Sequence, residues 1–321
     1  LDEQISIPFT VQSRMPHDLR VAIHLAGPDG IEDRKILSVP AMAQVQDSLL
    51  LQPKYEGDFN YFILVEPVAG EVVKTNNRAD FQMNLRREIL KVLVIESAPR
   101  WEFRYLHNAL QRDPGVVVKC LLLHPELGVG GGRNYLKKFP KDKDELSEYD
   151  VVFLGDVGIR EGQLTTEQCN LLMGLVEQQG SGLVFLPGIR GMQSTLMDHP
   201  IIQLNPVLMD QDLPEGHGFV NPSRLVLTSR GRDHLLTLLA SSGRENQSVW
   251  KNLPGFYWHA PVIRARAGST VLAVHGSART EQGRVPLLAT RNCGNGKSLF
   301  LGTDGAWRWR RGVEDTYHYR F

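Results

Sequence analysis

The sequence predicts two fused domains, an all-β sandwich over residues 1–86 and an α/β domain over residues 87–321. Three observations carry that expectation. Apolar residues alternate at period two in the first stretch, continuous apolar runs alternate with helical patterns in the second, and 321 residues exceed what one small core organises.

In the first stretch Ile5, Ile7, Phe9 and Val11 share a face, as do Leu19, Val21, Ile23 and Leu25, and then Phe59, Tyr61, Ile63 and Val65. One apolar face per run marks a half-buried antiparallel strand. Gly27-Pro28-Asp29-Gly30, residues 53–57 and Thr75-Asn76-Asn77 supply turns between the runs. Roughly six short strands in that length suggest a sandwich.

After Arg87 the pattern changes. Residues 89–95 read as an apolar strand, residues 99–110 as a helix opened by Pro99, and residues 116–123 as a second strand. A third strand follows at 151–154. A helix over 165–179 comes next, capped by Thr165 or Thr166 and ended by Gly180, and then a fourth strand at 183–186. Strands that are apolar throughout and alternate with helices predict a parallel sheet covered on both faces. Residues 192–260 read as irregular, with a short helix at 233–240. Strands at 270–274, 285–290 and 298–301, the last two joined by Gly294-Asn295-Gly296, predict an antiparallel extension.

Lys plus Arg and Asp plus Glu are equal at 36 each, so no net field draws the chain to nucleic acid or an anionic membrane. Three cysteines cannot form a disulfide framework and share no metal-ligand spacing. No apolar stretch is long enough for a bilayer span. The chain starts inside a strand pattern, and the expectation is a piece of a larger protein.

Ligands of open α/β sheets bind beyond the carboxyl ends of the strands. Polar residues gather there after the first strand (Glu96-Ser97-Ala98-Pro99-Arg100-Trp101-Glu102-Phe103-Arg104), the third (Gly155-Asp156-Val157-Gly158) and the fourth (Pro187-Gly188-Ile189-Arg190-Gly191-Met192-Gln193). The strand order and that last turn resemble class I glutamine amidotransferase-like domains, whose turn is Gly-x-Cys-x-Gly. Gly188, Ile189, Arg190 and Gly191 then form a degenerate nucleophile elbow, with Ile189 at the cysteine position and Pro187 at the first glycine. An aliphatic side chain forms neither thiolate nor thioester, so glutaminase chemistry is excluded.

Residues 91–96, 99–106 and 302–310 bring the resemblance closer to amidotransferase-like domains of large bacterial envelope proteins, over about residues 88–321. The first domain resembles adhesion-related Ig-like modules through residues 71–77. These resemblances imply a flavodoxin-like α/β fold behind an Ig-like sandwich, and no cofactor. They imply a non-catalytic binding or scaffolding role on the extracytoplasmic side of a membrane-anchored bacterial parent. The partner would be a small ligand or an envelope protein, not nucleic acid. Glu96, Arg100, Arg104, Asp156 and Arg190 are the candidate ligand contacts. The rival expectation is a hydrolase using Asp156, Glu96 or Asp304 as general base, with or without a metal.

Each candidate also has a structural explanation. Arg100 and Arg104, one helical turn apart, could clamp an anion at a helix N-terminus. Internal pairing with Glu96, Glu102 or Asp156, with Trp101 and Tyr105 in the core, is the commoner outcome. Trp307-Arg308-Trp309-Arg310-Arg311 could stack bases or sugars. The favoured expectation is an extended segment whose tryptophans pack against the Pro99 helix. Gly296-Lys297-Ser298 fails as a phosphate loop because Arg291 occupies the first glycine position and a strand follows. Residues 128–132 lack a dinucleotide fingerprint. His259 has no nucleophile partner in the sequence, and Cys293, in a turn, is the one thiol expected at the surface.

Overall fold

A computed structural model describes residues 5–85, 89–124, 126, 128–240 and 243–310. The chain divides into two compact units, Leu1–Glu88 and Ile89–Phe321.

The first unit holds strands β1 (Ile5–Gln12), β2 (Leu19–Gly27), β3 (Gly30–Val39), β4 (Gln44–Leu51), β5 (Gly57–Val65) and β6 (Arg78–Leu85). β1 pairs antiparallel with β4, and the other four form a sheet in the order β3-β2-β5-β6. Period-two patterning turns Ile23 and Leu25 of β2, Leu49 and Leu51 of β4 and Tyr61 of β5 into one core shared by both sheets. The unit is a small β-sandwich.

The second unit opens with β7 (Leu90–Glu96), α1 (Trp101–Arg112), β8 (Val116–His124), β9 (Gly128–Val129), α2 (Lys143–Leu146), β10 (Val151–Leu154), α3 (Thr166–Gly174) and β11 (Gly182–Phe185). The middle stretch adds β12 (Val207–Met209), β13 (His217–Ser223), β14 (Leu225–Leu227), α4 (Ser229–Arg232), α5 (Gly243–Asn252), β15 (Phe256–His259) and β16 (Val262–Ala265). It closes with β17 (Ser269–Thr280), β18 (Gly283–Cys293) and β19 (Gly296–Leu301). Among the described residues the main sheet has nine strands in the order β14-β17-β18-β19-β11-β10-β7-β8-β9. Pairings from β8 through β7, β10 and β11 to β19 are parallel; those of β9, β18, β17 and β14 are antiparallel.

The expected flavodoxin-like fold is therefore corrected. Strand outweighs helix, and half of the pairings in the sheet are antiparallel. The reason is physical: an apolar run reports burial on both faces, not the direction of its neighbour. The flavodoxin-like fold was implied by the resemblance; the antiparallel extension expected from the sequence is present, with the Gly294 turn folding β18 back on β19. Two further two-stranded sheets, β12-β16 and β13-β15, lie where irregular chain was expected, and the helix expected at 233–240 is a 3-10 turn, Leu235–Thr237.

Thr165 caps α3 in a reciprocal box with Gln168, the last turn widens to a π-helix at Leu175–Gln179, and Gly180 ends it at φ 99°. Helix α3 covers the sheet face that carries Leu93, Ile95, Val152, Leu154, Leu183 and Phe185. Alternate residues point the other way, where α1 packs on Val92, Val94, Val118 and Cys120. Beside α1 that face continues as a groove of about 800 Å³, floored by Phe153, Val184 and Leu299, with Glu102 at its wall.

Candidate functional site

The carboxyl ends of β7, β10 and β11 close onto one buried ionic cluster. Glu96 ends β7 at 1% exposure and Asp156 follows β10 at 1%. From the first turn after Pro99, Arg100 reaches back: its Nε donates to Glu96 Oε2 at 2.8 Å, Nη2 to the carbonyl of Leu186 at 2.6 Å and Nη1 to that of Pro187 at 3.2 Å. Its Nη1 also lies 3.3 Å from Asp304 Oδ1, off the line of a hydrogen bond. Glu96 Oε1 accepts the backbone N–H of Ser97 at 2.9 Å and of Asp156 at 3.1 Å. Asp156 in turn accepts the N–H of Arg190 at 2.9 Å and of Met192 at 2.7 Å. The Ser97 hydroxyl donates to the carbonyl of Asp156, and Gln193 donates to the carbonyls of Leu154 and Gly155.

Two glycines allow this closure. A Cβ at Gly155 would stand 2.3 Å from Glu96 Oε2, and one at Gly188 2.7 Å from Asp156 Oδ2 and 3.0 Å from Arg100 Nη1. Burial outweighs the pull of Arg100 and raises the Glu96 carboxyl, and it raises Asp156 against Arg100 and the N–H donors of Met192 and Arg190. With a guanidinium on one Glu96 oxygen and two N–H donors on the other, the geometry still serves the ionised form. Burial alone would lower Arg100, but the charges of Glu96, Asp304 and Asp156 outweigh it and hold the guanidinium protonated. Glu102, 6% exposed, accepts the N–H of Trp307 at 3.4 Å. Burial, reinforced by the charge of Asp304 and opposed by Arg100, raises its carboxyl to about 8.

Of the five candidate contacts, the structure brings together Glu96, Arg100 and Asp156, and of Arg190 only the backbone N–H. The Arg190 and Arg104 side chains are exposed, and Arg104 lies over the Trp101 ring at 5.4 Å. An open clamp by Arg100 and Arg104 is thus corrected: one arginine is spent inside the fold. Residues 188–191 form a β-turn, with Gly191 N–H donating to Gly188 O at 3.0 Å and Gly191 at φ 64°. A 3-10 turn at Met192–Leu196 follows, so no helix N-terminus faces Ile189, which is 59% exposed at the corner. Asp304, expected only as a rival general base, and Glu102, expected only as an ion-pair partner, stand beside the cluster. They meet the cluster only through folding, and the glycines at 155 and 188 were the nearest clue.

The segment expected to be extended is a 3-10 helix, Ala306–Arg310. Its tryptophans diverge. Trp307 stacks on Trp101 and Tyr105 of α1 at 5.8 and 5.9 Å, while Trp309 is buried edge-on against Trp250 of α5 at 5.5 Å. Trp101 is not in the core but 55% exposed. Cys293, expected at the surface, is 6% exposed with its Sγ 3.4 Å from the Ser298 hydroxyl. Burial raises the thiols of Cys120 and Cys169 to about 12. His259 is buried, its Nδ1 2.8 Å from the carbonyl of Ala260, and burial lowers its pKa. Among the described residues no group of three His, Cys, Asp or Glu side chains could hold a metal ion, and no helix is long and apolar enough to cross a membrane.

No protein-family model matches the chain, and no curated protein matches it. Solved structures do. A β-galactosidase from Bacillus circulans sp. alkalophilus is 16% identical over 71% of this chain and 30% of its own, with a TM-score of 0.41. The carbohydrate deacetylase Agd3 is 13% identical over 72% of this chain and 32% of its own, at 0.38. A CARDB domain from Pyrococcus furiosus is 13% identical over 26% of this chain and 75% of its own, at 0.24. The chain thus spans about a third of the length of the two enzymes. None of these is a glutamine amidotransferase. The resemblance to class I amidotransferase-like domains is withdrawn on that finding, and with it the description of the chain as a degenerate member of that class.

Proposed function

We propose that this chain is a non-catalytic binding module whose ligand meets the exposed rim of the strand ends, not the acidic interior. One observation carries it: Glu96, buried at the end of its strand, is held by Arg100 and two backbone N–H groups, and Asp156 by two more. Carboxylates so tied are ballast for the fold, and neither is poised to take a proton from a substrate. A thermal-shift screen of soluble ligands tests this. Ligands should raise the melting temperature of the native chain and fail to do so for Trp101→Ala. Ligands that act equally on both variants would refute the rim.

A hydrolase remains the second reading on a separate observation, the Glu102 carboxyl held near 8 beside Asp304 at the wall of the groove. A buried carboxyl that keeps its proton at neutral pH beside a second carboxyl can serve as a general acid. Turnover of any ester or glycoside substrate that disappears in Glu102→Gln would establish it and displace the binding module.

A further inference from the structure

The rim carries an aromatic surface that the buried cluster does not use. Trp101, Tyr105 and Trp307 have ring centroids 5.8, 5.9 and 6.0 Å apart, with interplanar angles of 29°, 5° and 26°. Three near-parallel rings in a triangle of almost equal sides are not a column, because the ends of a column stand two spacings apart. They stack with lateral offsets instead, as one compact cluster.

A fourth ring, Tyr257, extends it: the Arg308 guanidinium lies over Trp307 at 4.5 Å and over Tyr257 at 4.6 Å. Arg104 stands over Trp101 at 5.4 Å, and Arg310 over Tyr105 at 4.8 Å. Trp101 is 55% exposed and Tyr257 40%. Arg104 and Arg308 form no ion pair with an acidic side chain among the described residues. A large ring left half in water beside guanidinium groups offers both apolar area and hydrogen-bond donors to a ligand.

Deepening the binding-module reading, on which it rests, we infer that this surface binds an acidic oligosaccharide whose sugar rings carry carboxylates. The C–H face of a pyranose matches the exposed part of the Trp101 ring. A guanidinium resting over a ring keeps N–H groups for a carboxylate, which it can take in two parallel hydrogen bonds. A single-stranded nucleic acid would also stack, but it draws on a broad positive field, and here 36 basic residues are matched by 36 acidic ones.

The test is a tryptophan-fluorescence and calorimetric titration of the whole chain with an oligogalacturonate, a neutral cello-oligosaccharide and an oligo-dT strand. The oligogalacturonate should bind and perturb the fluorescence, with an affinity that falls as salt rises. Trp101→Ala and Arg308→Met should each weaken it by about tenfold; the exposed Trp101 should leave the melting temperature in place, and methionine keeps the packing of the half-buried Arg308. Equal binding of the neutral sugar, tighter binding of oligo-dT, or full affinity in Trp101→Ala would overturn the inference. If the oligogalacturonate fails while another ligand still stabilises the native chain and not Trp101→Ala, the sugar class falls and the binding module stands. Loss of all such ligands overturns both.

Discussion

Replacing Arg100 by methionine keeps most of the side-chain volume and removes the one cation of the buried cluster. Glu96, whose side chain is 2% exposed, then loses its only cationic partner, and the carbonyls of Leu186 and Pro187 lose their donors. Breaking a buried pair from one side costs about 3–5 kcal/mol, because a desolvated charge is left behind. The two carbonyls belong to buried residues, so the loss of their donors adds to that cost. In a unit of this size about 4 kcal/mol lowers the melting point by roughly 8–16 °C. Calorimetry on the whole chain should show that shift in one transition, with the sandwich transition unmoved. Glu96→Gln alone should cost less, since the amide keeps an acceptor for Arg100. In Glu96→Gln/Arg100→Met the two losses should fall well short of additive. A shift below about 1 kcal/mol for Arg100→Met would mean that water already reaches the cluster, and the case against an open ionic ligand site would fail.

Glu102 makes stability depend on pH in a definite direction. Its carboxyl titrates near 4.5 when unfolded and about 8 when folded, so between those values the folded chain holds the extra proton. Stability is complete below about 4.5, falls with rising pH by at most about 1.4 kcal/mol per unit, and levels off above 8. Chemical denaturation across that window should show the slope, and Glu102→Gln should flatten it. A slope unchanged in that variant would refute the assignment. Cys120, Cys169 and Cys293 are all buried, so none should react with a thiol reagent at pH 8 until the chain is denatured; prompt reaction of one thiol would contradict the burial of Cys293. Gly188→Ala drives a methyl group against Asp156 and Arg100 and should cost about 1–3 kcal/mol by denaturant titration. The same change at Gly131, where a Cβ meets nothing within 4 Å, should cost little, and equal costs would dismiss the steric argument.

The strands and the capped helix α3 were legible because each is specified within a dozen residues. Period two fixed the faces of β2 and β5, and Thr165, Gln168 and Gly180 fixed the ends of α3 with its π-turn. Sheet direction was legible where a turn marked it: Gly294-Asn295-Gly296 indicated the antiparallel pairing of β18 with β19. The flavodoxin-like fold came from the family resemblance and not from those strands. The middle stretch failed for a different reason. β13 is largely exposed, with His217, Gly218 and Val220 to Pro222 open to solvent, so it carries no apolar face for a sequence pattern to detect. Residues 307–310 failed because alternation of tryptophan and arginine fits a strand, but the chain turns as a 3-10 helix and sends Trp307 and Trp309 to different neighbours.

The acidic and basic residues at the strand ends show why a site is harder to read than a fold. Arg100 beside Glu96 has the same spacing whether it waits for an anion or has already been satisfied. What separates the two cases is the fate of its remaining donors, and those go to carbonyls 86 and 87 residues away. Gly155 and Gly188 betray the outcome in advance: a ligand cleft tolerates a methyl group at its margin, whereas here an added Cβ would fall within 3 Å of a carboxylate oxygen. Closure of the strand ends by Arg100 also explains why the aromatic surface lies outside them. With the interior sealed, α1 can present Trp101 and Tyr105 outward on a helix whose first turn is anchored, so the rings keep a fixed geometry against Trp307. Anchoring of that kind lowers the ordering cost of a bound ligand. On this account Arg100 positions the surface without touching what binds there.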